Sequence, residues 1–239
     1  MGLEAGVAVG AEAQDAPIDE LLGADAALDE ELLAEGEEGG DDDLPQPTRP
    51  LPEGVEASLY VCKLQAQFRL GQKIDLQKVA FGYRHAELPG RRRQWLLLRL
   101  LQPRATAHVS ASGHATLHAG GDVGEEALQR AARTIGRIVK KCGHPTVQLH
   151  DYRVTGVQAA ADLRRAVRLE ALDGRWPERC MYEPEVTGHL NFALRSPKCS
   201  LMVTSAGKLV IKGGHELRDA EVLRGVLGRA HAIVYEFSA

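Results

Sequence analysis

The sequence predicts an α+β protein in which one antiparallel sheet carries helices on a single face. Residues 103–113 are echoed by residues 197–207 at an offset of 94 residues, and each copy continues into a short strand and a Gly-Gly pair. Segments of strand length with alternating apolar and polar residues follow one another, and each copy ends in a segment of helix length. An offset this long indicates a duplicated supersecondary unit and not a solenoid repeat.

In the first copy, strands are predicted where residues alternate or run apolar between turn residues. These segments are 59–70, 95–101, 105–111 and 114–118, with a short helix at 75–84. The helix at about 125–142 is the clearest element, because Leu128, Ile135 and Val139 fall on one stripe and basic residues on the other. Gly143 and Pro145 end it.

The second copy is predicted to repeat this order. Its strands are placed at 152–160, 166–172, 189–195, 199–205 and 208–212, and its closing helix at 216–230. The Gly-Gly pairs at 120–121 and 213–214 precede the two closing helices, which favours turn geometry over a phosphate-binding loop. The sequence offers no nucleophile with a base and no clustered metal ligands, so we expect no enzyme, metal or other cofactor.

Charge divides the chain into an acidic arm and a basic body. Residues 1–56 contain 17 Asp and Glu against one Arg, whereas residues 57–239 contain 28 Lys and Arg against 16 Asp and Glu. The composition of the arm predicts disorder, with an acidic, leucine-containing patch from Ile18 to Leu33 that either folds on a partner or stays solvated. The predicted units are therefore 1–56, 57–148 and 149–239.

The basic body favours a polyanionic partner, although an ordinary solvated basic surface is the alternative. Four widely spaced cysteines are typical of free thiols in a reducing compartment. No apolar run reaches membrane-spanning length and no signal peptide is evident, so we expect an intracellular protein without a membrane segment.

Local motifs in both copies resemble the TATA-box-binding protein family. They are Pro103-Arg104-x-Thr106-Ala107 with Ser112-Gly113, Leu70-Gly71-x-Lys73-x-Asp75-Leu76, Arg168-Leu169-Glu170 followed by Tyr182-Glu183-Pro184-Glu185, and Gly207-Lys208-Leu209-Val210. The resemblance covers about residues 59–236. It implies a saddle, in which a curved ten-stranded antiparallel sheet lies with its concave face on the DNA minor groove and kinks the duplex, with helices on the convex face.

The resemblance also locates departures from the family. At the four positions where the family inserts phenylalanines between base steps, this chain has Arg93, Ser110, Thr187 and Thr204. The two asparagine positions that read base edges hold Lys63 and Gly156, and the remaining floor is largely polar. That floor is expected to be Gln65, Gln67, Thr106, His108, Thr116 and His118 in the first copy, and Gln158, Ala160, Ser200, Met202, Val210 and Lys212 in the second.

The free energy lost with the four phenylalanines indicates how these departures affect DNA binding. Burying one large apolar side chain is worth about 1.5–3 kcal/mol, so losing four removes about 6–12 kcal/mol. A whole specific protein–DNA complex is worth about 11–15 kcal/mol. We therefore expect weak DNA binding with little sequence preference in place of sharp bending at a TATA box.

Several cations match family positions that contact the DNA backbone or floor. The predicted DNA-binding residues are Lys63, Arg99, Arg104, Arg168, Lys198, Lys208 and Lys212. Phosphate contacts give affinity and salt dependence without reading sequence. The alternative is that these residues only keep strand edges soluble.

Three surfaces resemble the family's partner-binding surfaces. The loop with Glu183 and Glu185 resembles the one that holds transcription factor IIB, and the edge strand with Glu87 resembles the one that pairs with transcription factor IIA. The basic helix face is expected to meet other factors through Arg130, Arg133 and Arg137.

The resulting hypothesis is a nuclear, general transcription initiation factor that nucleates or scaffolds a pre-initiation complex at promoters lacking a TATA box. The alternative is an interaction module that binds no DNA and holds or sequesters initiation factors. An open, basic concave face favours the first, and a neutral or plugged face favours the second. We also hypothesise that the acidic arm shields this face.

Overall fold

The computed structural model describes residues 41–48, 50–89 and 95–238. The strands are β1 Tyr60–Arg69, β2 Ala86–Glu87, β3 Trp95–Leu101, β4 Arg104–Ser110, β5 His114–Gly120, β6 His150–Asp162, β7 Cys180–Met181, β8 His189–Arg195, β9 Lys198–Thr204 and β10 Lys208–Gly213. The α-helices are α1 Glu53–Glu56, α2 Leu76–Gly82, α3 Gly124–Lys141, α4 Leu169–Arg175 and α5 Ala220–Tyr235. Short 3₁₀ turns at Gly121–Val123 and His215–Arg218 precede α3 and α5.

All ten strands form one antiparallel sheet in the order β2-β3-β4-β5-β1-β6-β10-β9-β8-β7. The first repeat supplies β1–β5 and the second supplies β6–β10, so the strand order of one half mirrors that of the other. The halves join where β1 pairs with β6, with Lys63 opposite Gln158 and Gln65 opposite Gly156. The predicted α+β class and the ten-stranded sheet with helices are confirmed.

Alternate strand residues build the hydrophobic core beneath the helices. In β4 the buried residues are Ala105, Ala107 and Val109, and they belong to the same cluster as Leu128 and Ile135 of α3. The strand residues between them lie on the opposite side of the sheet. We call that side the concave face. No helix in the described part of the chain is both long and apolar enough to cross a membrane.

Repeat-related turns keep the same backbone requirements. Gly113 and Gly207 have φ angles of 86° and 82°, in the left-handed region that favours glycine. A Cβ at either glycine would collide with a backbone carbonyl, that of Gln72 or of Arg165. The β3–β4 and β8–β9 turns each contain a cis proline, Pro103 and Pro197.

One predicted element is wrong. Residues 166–172 were expected to form a strand, but the structure has helix α4 there, preceded by a single bridge between Val167 and Ser238. In the first repeat, Asp75 starts α2 by accepting hydrogen bonds from the backbone N–H groups of Gln77 and Lys78. The matching residue, Arg168, provides no side-chain cap, so the local sequence lacks the start signal of a helix.

The closing helix of the second repeat also differs from its prediction at 216–230. The chain first forms the 3₁₀ turn, and α5 then extends to residue 235. Asp219 marks the start, because its carboxylate accepts a hydrogen bond from the backbone N–H of Glu221 at 2.8 Å. The predicted free thiols are confirmed at all four cysteines.

The end of the predicted acidic arm packs on the second repeat. Leu44 and Val55 are buried in the core, and Glu56 pairs with Arg224 of α5 at 3.2 Å. These contacts differ from the expected disorder of residues 1–56, because burial of two apolar side chains offsets part of the ordering entropy. Residues 1–40, including the leucine-containing patch, and Arg93 lie outside the described residues.

Candidate nucleic-acid interface

The concave faces of the two repeats are built from equivalent strand positions. In the first repeat, neighbouring strands place four residues in register, and we call Leu97, His108, Thr116 and Gln67 the first-repeat row. The equivalent second-repeat row is Asn191, Met202, Val210 and Ala160. The sequence prediction of which residues share each floor agrees with this register.

The two rows differ in burial. Every residue of the first-repeat row is half-buried. In the second-repeat row, Met202 is 1% exposed, and Val210 and Ala160 are 0% exposed. These three side chains are buried although they are absent from the core cluster beneath the helices. The concave face of the second repeat is therefore a separate buried layer, whereas that of the first repeat is open.

Aromatic rings occupy the open first-repeat face. The Trp95 ring stacks on His108 with 4.5 Å between centroids, and His108 lies 5.4 Å from His118. Burial, helped by the positive charge of Lys63 and by His108, lowers the pKa of His118 to about 4. Burial and Lys63 also lower the pKa of His108. Both imidazoles are thus neutral near pH 7 and offer ring faces more than charge.

Three predicted DNA-binding cations come together at the centre of the saddle. Lys63, Lys198 and Lys212 line a cavity of about 410 Å³, together with Gln65, Gln158 and Ser200. Lys212 is 8% exposed and, like Ser200, already has an interaction partner. Lys63 and Lys198 retain more contact with solvent.

The other predicted cations are dispersed. Arg99 forms a double contact with Glu87, at 3.0 and 3.2 Å. The predicted DNA-binding residue Arg99 is therefore ion-paired with the predicted partner-binding residue Glu87. Lys208 bonds the Asp162 carboxylate at 2.9 Å. Arg104 is exposed at the start of β4, and Arg168 lies on the loop before α4, off the sheet.

Three positions of the missing phenylalanines hold hydroxyl groups that bond nearby backbone. Ser110 Oγ accepts a hydrogen bond from the backbone N–H of His114 at 3.2 Å, and Thr204 Oγ1 accepts one from Lys208 at 3.0 Å. Both bonds close their hairpins in the same way. Thr187 Oγ1 donates to the carbonyl oxygen of His189 at 3.1 Å. The fourth position, Arg93, lies outside the described residues.

The predicted partner surfaces are exposed. Glu183 and Glu185 project from a tight turn in which the Glu183 carbonyl oxygen accepts hydrogen bonds from the N–H groups of Val186 and Thr187 at 2.9 and 2.8 Å. Beside them, Val186 is 74% exposed. On α3, all three predicted arginines face solvent: Arg130, Arg133 and Arg137.

Sequence reasoning missed a buried ionic network at the edge of the second repeat. Arg179 is 3% exposed and contacts Asp41 at 2.9 Å and Asp43 at 2.6 Å. Asp41 also accepts hydrogen bonds from Arg229 at 3.0 Å and from the backbone N–H groups of Arg195 and Ser196 at 3.1 and 2.9 Å. Nothing in the local pattern distinguishes Asp41 from the other acids of the arm.

The electrostatics of this network favour an ionised Asp41. Burial raises the pKa of its carboxyl group, but the hydrogen bonds from Ser196, Arg195 and Arg179 and the charge of Arg229 outweigh burial and hold the pKa below its usual range. Among the described residues, no group of three or more His, Cys, Asp or Glu side chains is placed to hold a metal ion.

The fold and this face define a duplicated saddle protein with cations and aromatic rings on its sheet surface. The family described as transcription factor TFIID, or TATA-binding protein, matches residues 59–142 and 151–224. The chain therefore belongs to the TATA-binding protein family, whose members are DNA-binding transcription factors and not enzymes.

Individual members of this family are similar to the chain in sequence and in structure. The TATA-box-binding protein of Acanthamoeba castellanii is 32% identical over 68% of this chain and 61% of its own length. The TATA box-binding protein-like 2 of Xenopus laevis is 32% identical over 68% of this chain and 51% of its length. The chain thus spans about half to three fifths of these relatives. The structure of Methanococcus jannaschii TBP shares the fold, with a TM-score of 0.56 and 23% identity over 75% of this chain and 99% of that one.

Proposed function

We propose that the protein is a nuclear transcription initiation factor that helps to assemble pre-initiation complexes at promoters lacking a TATA box. The observation that carries this proposal is that hydroxyl side chains occupy three positions where the family has phenylalanines. Ser110, Thr187 and Thr204 hold hydroxyls bonded to nearby backbone. Unstacking a base step costs a few kcal/mol, and these side chains offer no apolar wedge to offset it.

DNA contact in this proposal is weak and depends on phosphates. Among the predicted DNA-binding residues of the sheet, Lys63, Arg104 and Lys198 are the accessible cations without a described carboxylate partner. The Arg99–Glu87 pair adds a fourth, because both side chains are 56% exposed. An exposed ion pair is worth about 0–1 kcal/mol, so a phosphate can replace Glu87 at little cost. Such contacts give affinity without sequence reading.

Specificity then comes from protein partners. Glu183 and Glu185 stand on a tight, exposed turn beside Val186, which suits a partner with basic and apolar groups, such as a transcription factor IIB-like protein. The short edge strand β2 offers backbone groups to a transcription factor IIA-like strand. The arginines exposed on α3 suit an acidic surface of a further factor.

A second function, an interaction module that holds initiation factors without binding DNA, is favoured by one observation. The second-repeat row is buried, and Lys208 is engaged by Asp162. Only half of the concave face is then open to a duplex.

Salt-dependent binding of the full chain to TATA and random duplexes of equal length tests these functions. We expect similar affinities on both, a steep dependence on salt, and no sharp bend by energy transfer between the duplex ends. Arg104→Gln is expected to reduce the slope of log K against log salt by about 1, whereas the control Lys141→Gln on α3 leaves the slope unchanged. Strong preference for TATA with a sharp bend contradicts the first function, and absence of binding at low salt favours the second.

The partner surface has its own test. Reversing both carboxylates, Glu183→Lys and Glu185→Lys, is expected to abolish capture of a transcription factor IIB-like protein while leaving the melting temperature nearly unchanged, since both side chains are exposed. Glu236→Lys, at an exposed position at the end of α5, is the control for a single charge reversal away from this surface. Capture at the unaltered level by the double variant argues against this surface.

A further inference from the structure

The buried second-repeat row needs a covering layer. Met202, Val210 and Ala160 are 0–1% exposed and lie outside the core cluster, whereas their first-repeat equivalents, His108, Thr116 and Gln67, are half-buried. Strands, turns and register are equivalent in the two repeats. An open sheet face would therefore expose both rows to a similar degree. Such a difference requires something that covers the second-repeat row and leaves the first-repeat row open.

The path of the described chain shows which segment arrives there. Going backwards from α1, Glu56 pairs with Arg224, Pro47 lies beside Gly228, and Asp41 bonds Arg229. The chain thus runs along α5 towards the β8–β9 turn, where Asp41 accepts a hydrogen bond from the backbone N–H of Ser196. Lys198, two residues further on, already lines the concave cavity. At Asp41 the chain has reached the border between the helical side and the concave face.

The network around Asp41 anchors this end. The side chains of Asp41 and Arg179 are 5% and 4% exposed, and four hydrogen bonds hold the carboxylate. Anchoring raises the effective concentration of the preceding segment at the neighbouring face, because only the tether length separates them. Residues 17–33 end eight residues before Asp41. Eight residues extend to about 28 Å, and a seven-residue strand spans about 23 Å, so this segment reaches the whole second-repeat face.

The chemistry of the segment matches that face and not the first repeat. Residues 17–33 contain six apolar side chains, Ile18, Leu21, Leu22, Leu28, Leu32 and Leu33, with six acidic residues and no basic one. The second-repeat face has an apolar centre at Met202, Val210 and Ala160, bordered by Lys63, Lys198 and Lys212. The first-repeat row has one apolar residue, Leu97 at its outer end, and its other three residues, His108, Thr116 and Gln67, are polar.

We propose that the concave face of the second repeat is a docking surface for residues 17–33 of the same chain. The leucines cover the apolar centre, the acids face the bordering lysines, and the Asp41–Arg179 network fixes the entry point. The first repeat stays open. This surface overlaps the DNA-facing side of the proposed function, but its occupation by the arm does not depend on whether DNA binds there.

Thiol labelling of the full chain tests the proposal without DNA. Ser200→Cys places a thiol on the second-repeat face, where Ser200 is 0% exposed, and Thr106→Cys places one at the equivalent half-buried position of the first repeat. Fragment-ion mass spectrometry assigns each label to its residue, which separates Ser200→Cys from the adjacent native Cys199, itself buried. We expect Ser200→Cys to react at least about tenfold more slowly than Thr106→Cys, at a rate independent of protein concentration. Equal labelling rates at Ser200→Cys and Thr106→Cys, with the arm unaltered, would overturn the proposal. Protection that disappears on dilution would show that a second copy of the chain covers the face, and this result would also overturn it.

Variants of the arm identify the occupant. Replacing Leu21, Leu22, Leu28, Leu32 and Leu33 by Ser is expected to raise the rate at Ser200→Cys to that at Thr106→Cys. The control replaces Leu3, Val7 and Val9 by Ser and leaves the protection intact. A photo-crosslinking residue at position 28 supplies a second measurement that does not need the cysteine variants to fold, and it is expected to label β9 or β10. Persistent protection after the leucine changes, or crosslinks only to the helical side, would overturn the proposal.

Discussion

The two repeats of this saddle share a backbone but differ in the chemistry of their concave rows. His108, Thr116 and Gln67 of the first repeat are polar and half-buried, whereas Met202, Val210 and Ala160 are apolar and buried. The register that aligns each row is the same. Equivalent strand positions on the concave face can therefore carry different side chains after a duplication, because these side chains make little contribution to the core beneath the helices.

What the repeats retain is the geometry of their turns. Ser110 and Thr204 each accept a hydrogen bond from the backbone N–H four residues later. Gly113 and Gly207 take the same left-handed conformation at the hairpin ends. These features concern the backbone and are independent of any ligand, so they persist while the faces diverge.

The largest expected effect lies in the Asp41–Arg179 network at the edge of the second repeat. Arg179→Ala leaves Asp41 buried with Arg229 as its one cationic contact among the described residues, and removing one member of a buried ion pair costs about 3–5 kcal/mol. Urea unfolding measures the loss. The matched control is His85→Ala at the equivalent position of the first repeat, with an expected change of about 1 kcal/mol or less. Similar losses in both variants would remove this difference between the repeats.

The rows themselves give the next largest effect. Met202→Ala is expected to destabilise the full chain by about 2 kcal/mol, since a buried methionine loses its packing. His108→Ala, at the half-buried equivalent, is expected to cost less than about 1 kcal/mol. In the arm variant with five leucines replaced, the cost of Met202→Ala should fall, because its covering layer is gone. Additive losses would show that the arm and Met202 do not touch.

The turn hydroxyls sharpen the comparison on a smaller scale. Thr204→Val removes the acceptor of the Lys208 N–H at a position that is 5% exposed, and we expect a loss of about 1–2 kcal/mol. Ser110→Ala removes the equivalent bond where water can replace it, and we expect about 0.5 kcal/mol. Thermal unfolding at constant pH distinguishes the two. Equal losses would indicate that Thr204 is as hydrated as Ser110.

Much of this molecule follows from its sequence because the fold is specified by periodicity and duplication. The alternation in β4 and the stripe in α3 predict those elements directly. The local sequence predicts a strand where α4 lies because Arg168 provides no cap, although α2 lies 93 residues earlier and the duplication itself indicates a helix. At this segment the local sequence pattern predicts a strand and the repeat offset predicts a helix, and the structure agrees with the repeat offset.

The site was less predictable than the fold. Arg99 pairs with Glu87 across 12 residues and Lys208 pairs with Asp162 across 46, and neither pair has a local sequence signal. The Asp41–Arg179 network spans 138 residues for the same reason. Charge counts predict that an acidic arm and a basic body attract each other, but not which carboxylate enters a buried position.

The smallest expected effect is a pH dependence confined to the first repeat. His118 has a pKa of about 4 in the folded protein, below the ordinary 6.5, because burial and the charges of Lys63 and His108 disfavour its protonated form. As pH falls below 6.5 the unfolded chain takes up the proton before the folded chain does, so the stabilising contribution of neutral His118 is complete above pH 6.5 and is lost progressively towards pH 4.

After discounting for partial solvent exposure, the loss of stability from His118 is about 1 kcal/mol or less at about pH 5.5. Urea unfolding of the full chain and of His118→Gln across this range measures it, and the variant should show the shallower decline. The equivalent position of the second repeat holds Lys212 and no histidine. Superimposable pH profiles would mean that His118 is hydrated enough to protonate in the folded state, and the first-repeat face would then gain positive charge in mild acid.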